Sequence, residues 1–118
     1  MLTPHLQIAL ASLQSRAPHI TEAAFTDALS DAVVHPVDVD GRPVGAVIVK
    51  GPELHACVSC DVRGLWMSKR ILRLLGDVVL KHGHAITRAT TDEGRQFVQR
   101  LGFVRRGDSW VMGANHGL

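Results

Sequence analysis

Tyrosine is absent from the 118 residues, and the remaining aromatic side chains are 3 Phe and 2 Trp. The absence removes a common proton donor from any chemistry the chain performs. Cysteine is scarce: Cys57 and Cys60 are the only two, too few for a disulfide framework. No run approaches the roughly 18 apolar residues that cross a bilayer. The opening MLTPHLQIAL lacks the basic start of a secretory signal. A soluble, cytoplasmic protein without a membrane partner is therefore expected. The net charge of +2 is too small to argue for nucleic acid.

What is present is a chain with 46% hydrophobic residues, enough for one modest core. There is no internal repeat, low-complexity tract or linker, so residues 1–118 are expected to form a single domain. Leu6, Ile8, Leu10 and Leu13 give residues 3–15 a weak helical pattern, which Ala17-Pro18 breaks. Thr21 can cap a second helix over EAAFTDALS, with Glu22 at its positive end. The period then changes. AVVHPVDVD and PVGAVIVK are β-branched runs around Asp40-Gly41, a hairpin signal. Pro36 lacks a ladder donor, so the first strand belongs at an edge or a bulge. ELHACVSC is a third strand after Gly51-Pro52.

Met67, Ile71, Leu74, Leu75 and Val78 recur at helical spacing and predict a helix over 66–82. Gly83 suits its left-handed cap. AITRAT reads as a strand, TDEGRQFVQRL as a helix, and GFVRRGDSWVM as a closing hairpin around Arg106-Gly107-Asp108. The third strand, long helix and AITRAT form a crossover, so those two strands should be parallel. The fold class expected is α+β: a mixed, mostly antiparallel sheet with helices on both faces.

Three stretches carry a resemblance. DVRGLWMSKRIL, HGHAITRAT and GRQFVQRLGFVRRGD, in this order of elements, resemble the acyl-CoA-dependent N-acetyltransferases of the GNAT superfamily. The likeness runs from about Ala32 to Met112. It implies an acyl-CoA N-acyltransferase-like fold, acetyl-CoA as cosubstrate and an amine acceptor, either a small molecule or a protein. In that family the first stretch is a pyrophosphate loop opening a helix. The physical logic is general: a helix N-terminus offers unpaired N–H groups and a positive dipole end, both suited to phosphate. Carried over residue by residue, Arg63, Gly64, Leu65, Trp66, Met67, Ser68 and Lys69 would hold the diphosphate. Trp66 stands where the family has its first glycine.

The family's reaction needs a base for the amine. Glu53 and His55 are two apart on the third strand and so share a face. The resemblance favours Glu53, and His55 has the better intrinsic pKa. A backbone N–H near Cys57 or Val58 would polarise the thioester carbonyl. Val98 stands where the family commonly has the tyrosine that protonates the leaving thiolate, and Thr91 where it commonly has asparagine. A second reading is thus a noncatalytic protein using the same fold for binding or assembly, as in some small phage-encoded proteins. Cys57-x-x-Cys60 is read as buried apolar cysteine and not as a metal site, since no second pair completes a zinc set. A chain this short often buries extra surface in a homodimer.

Overall fold

The computed structural model describes residues 2–59, 61, 62, 66–89 and 92–113, apart from the side chain of Glu93. Helices α1 (Pro4–Arg16) and α2 (Glu22–Ala28) come first, then strands β1 (Val33–Val39), β2 (Arg42–Lys50) and β3 (Glu53–Val58). Helix α3 (Lys69–His82), β4 (His84–Thr87), α4 (Asp92–Leu101), β5 (Val104–Arg106) and β6 (Ser109–Gly113) follow. Hydrogen bonds link the strands in the order β1-β2-β3-β4-β6-β5. This is an α+β fold with a mostly antiparallel six-stranded sheet. By contacts the chain gathers into two units, with β3 contributing its first residues to the second and the rest to the first.

The first unit holds α1, α2, β1, β2 and most of β3. Thr3 caps α1, accepting from Leu6 N–H at 3.3 Å, and Pro4 occupies the first turn where no N–H is needed. Thr21 caps α2 through Ala24 N–H at 3.1 Å. Asp40 (φ 53°) and Gly41 (φ 77°) form the two-residue hairpin expected of Asp-Gly. β1 lies at the end of the strand order, which is where Pro36 is tolerated. The register slips beside it: Val37 pairs with Gly45 and Asp38 with Pro43, leaving Val44 as the extra residue of a bulge. Ala9, Leu10 and Phe25 of the helices pack with Ala46, Ile48 and Cys57 of the sheet as one buried cluster. His5 Nε2 meets Asp38 Oδ1 at 2.9 Å and ties α1 to β1.

The second unit is built on α3. Ser68 is extended (ψ 171°), and its hydroxyl accepts from Ile71 N–H at 3.3 Å. The helix therefore starts at Lys69, three residues later than the periodicity predicts. Gly83 (φ 80°) closes it as a left-handed cap, donating to Val79 O at 2.7 Å. Ile71, Leu75, Val78 and Val79 are its buried stripe. β4 then runs parallel to β3, with Glu53 opposite Ile86, as a crossover through a helix requires. β4 spans four residues where AITRAT predicts more. β6 pairs antiparallel with both β4 and β5.

The Leu101-Gly102-Phe103 ending of α4 has a local cause. Gly102 N–H reaches Gln99 O at 3.1 Å and Phe103 N–H reaches Val98 O at 3.0 Å. This is the paired bonding of a Schellman motif, with glycine (φ 105°) at its left-handed position. Phe103 and Trp110 are buried. Among the described residues no helix is long and apolar enough to cross a membrane.

Candidate functional site

The two candidate bases occupy the start of β3. Glu53 is exposed and His55 is half-buried. Side chains alternate along a strand, so both share the face of Cys57. Cys57 lies in the cluster covered by α1 and α2, and His55 thus stands two residues from that core. Burial pushes the Cys57 thiol upward in pKa, and the Arg16 guanidinium beside it pulls the other way. A buried apolar thiol was the expectation for Cys57, and the structure places it so. Its companion Cys60 lies outside the described residues. Among the described residues no three His, Cys, Asp or Glu side chains gather as metal ligands.

The amides of Cys57 and Val58, the two residues named for the carbonyl, point to opposite edges of β3. Ser59 N–H donates to Val44 O at 2.8 Å, so it points at β2. Amides two apart on a strand point the same way. The N–H of Cys57 therefore also faces β2, whereas the N–H of Val58 points away from it. Val58 O accepts from the Ser12 hydroxyl of α1 at 2.9 Å, which fixes that end of β3. On the other edge of β3, Ile86 N–H donates to Pro52 O at 2.8 Å and the Thr87 hydroxyl to Leu54 O at 2.8 Å. β4 ends at Thr87.

Of the loop residues, Arg63, Gly64 and Leu65 lie outside the described residues. Trp66 and Met67 are half-buried, and Ser68 and Lys69 are exposed. Ser68 is committed to its own helix: its side chain satisfies Ile71 N–H and its carbonyl takes Leu72 N–H at 3.0 Å. The N–H of Lys69 is one of the amides that a helix start leaves without an intrahelical partner. Val98 is buried in α4, an apolar side chain with no proton to give. Thr91 is outside the described residues.

One feature of this region escapes the sequence reading. A hollow of about 340 Å³ is lined by Ile8, Arg42, Pro43, Val44, Asp61 and Val62, together with Ser59. The Ser59 hydroxyl donates to the Asp61 carboxylate. Ser59 N–H donates to Val44 O, which brings the residues after β3 to the bulge in β2; Pro36 signals an edge or a bulge in the sequence, but nothing there marks Val44 as its place. No family model matches the chain, and no curated protein matches it.

Proposed function

We propose that the chain is an acyl-CoA N-acyltransferase-like protein, with helices on both faces of its sheet, that transfers an acetyl group from acetyl-CoA to an amine. The observation that carries this reading is the β3–α3–β4 unit. A strand feeds a capped helix start through a short connecting segment, and the strand after the helix pairs in parallel with the first residues of the first strand. Such a helix start suits a diphosphate through backbone N–H groups, and Arg63 and Lys69 add charge.

Acetyl-CoA is the cosubstrate and supplies the acetyl group as a thioester. His55 or Glu53 takes the proton from the amine. The amine nitrogen forms the new bond to the carbonyl carbon, the carbon–sulfur bond breaks, and the CoA thiolate takes a proton from water. Val58 N–H, the outward amide of the pair considered, serves the carbonyl oxygen.

A second reading rests on specific observations: a protein of the same fold that binds or assembles and does not catalyse. Val98 is buried at the position where the family resemblance puts a proton donor, the sequence has no tyrosine to replace it, and the Ser68 hydroxyl is already engaged. The expected loss from a missing acid is about 10²-fold or more.

Thermal unfolding with and without acetyl-CoA tests the reading. Saturation at 100 times the dissociation constant adds about 2.7 kcal/mol. Absence of any shift at millimolar acetyl-CoA would sink both the ligand and the reaction. A shift without release of CoA thiol across a panel of amines would leave the binding protein.

A further inference from the structure

The outer face of α3 carries a feature that neither reading above uses. Leu80 is 82% exposed and Leu72 is 46% exposed, the former the most open large apolar side chain among the described residues. Gly76 lies midway between them, and a Cβ placed on it would meet nothing within 4 Å. Residues 72, 76 and 80 are four apart and form one line along the helix. Arg73 and Asp77 flank that line on one side. They are one turn apart, but the order with the cation first is the less favourable for a pair within one helix, and neither makes an ion pair among the described residues.

We propose that this face is a homodimer contact in which α3 packs antiparallel against α3 of a second copy, centred on Gly76. The charges choose the partner. A rise of about 1.5 Å per residue puts Leu72 opposite the copy's Leu80, about 6 Å to either side of the centre. In the same arrangement Arg73 sits about 4.5 Å from the centre and the copy's Asp77 about 1.5 Å, on the same side. Antiparallel helices set like flanks face to face, so each Arg73 meets the Asp77 of the other copy, twice by symmetry. A parallel pairing would set Arg73 against the opposite flank of the copy, away from Asp77. Gly76 lets the two backbones approach closely at the crossing. α3 has 14 residues, about 21 Å of helix. A contact of that length falls short of the roughly 800 Å² per partner of standard interfaces, so the dimer is weak and concentration-dependent.

Sedimentation of the full chain from about 10 μM to about 1 mM, at low salt where exposed charges act over roughly 10 Å or more, tests this. The wild type should shift from monomer toward dimer across the range. Leu80→Glu should remain monomeric with an unchanged melting temperature at the lowest concentration. Arg73→Asp and Asp77→Arg should each weaken the dimer about tenfold or more. The double reversal R73D/D77R should restore it. A monomer throughout, a dimer indifferent to Leu80→Glu, or a double reversal no tighter than its parents would each overturn the proposal.

Discussion

Replacing Gly45 by alanine is expected to damage the first unit severely. Gly45 has φ 143°, a region that only glycine occupies at little cost. A Cβ on it would lie 2.1 Å from the Cys57 carbonyl oxygen and 2.7 Å from the Val58 Cα. Both obstacles are backbone, so no side chain can swing aside. The conformational part costs about 1–3 kcal/mol, and forcing two strands apart a further 1–3 kcal/mol or so. Together they give about 2–6 kcal/mol, against a whole stability of roughly 6–15 kcal/mol for a chain of this length. Denaturant unfolding followed by tryptophan fluorescence measures it, and the melting temperature should fall by roughly 8–24 °C. Two glycines serve as controls. Gly41 also has positive φ (77°), but a Cβ there meets nothing within 4 Å, so Gly41→Ala should cost only about 1 kcal/mol. Gly76 is helical and equally unobstructed, and Gly76→Ala should stabilise the chain by up to about 1 kcal/mol. A Gly45→Ala protein within about 1 kcal/mol of wild type would refute the placement of β3 against the bulge.

The Ser68 hydroxyl separates helix capping from phosphate binding. Ser68→Ala should cost about 1 kcal/mol, and Ser68→Asp should recover most of it, since aspartate caps as well as serine. If a diphosphate sits at that helix start, Ser68→Asp should also weaken acetyl-CoA binding in a thermal-shift titration, and equal affinity in both would argue against it. Cys57 makes stability depend on pH in the alkaline range. Its folded pKa is raised by burial, so the contribution of the neutral thiol is intact below the unfolded value of about 8.5 and is lost as pH rises beyond it. No tyrosine titrates there to obscure the effect. Cys57→Ala should flatten the decline in unfolding free energy above about pH 8.5; an unchanged slope would place the thiol in water.

Local chemistry made most of the elements legible in the sequence. Thr21, Asp40-Gly41, Gly83 and Gly102 each act on the few residues beside them, through a hydroxyl acceptor or a positive φ, and such effects need no tertiary context. The parallel pairing of β3 with β4 was legible for the same reason, because a helix-bearing connection leaves a strand no other sense. Helix α3 was misplaced at its start because periodicity marks the buried stripe, and the cap at Ser68 decides where the turn begins. The Leu-Gly-Phe ending that carries part of the family resemblance is a Schellman motif, a termination that any helix can use. The bulge at Val44 depends on how β1 and β2 pair, and the hollow beside it and the direction of the Val58 amide on how β3 lies against β2. The sequence by itself determined the order and type of the elements, since capping, turn and periodicity act within a few residues. Only the tertiary structure decided which amides, charges and apolar side chains remain available to a partner, because that depends on what residues distant in sequence leave uncovered.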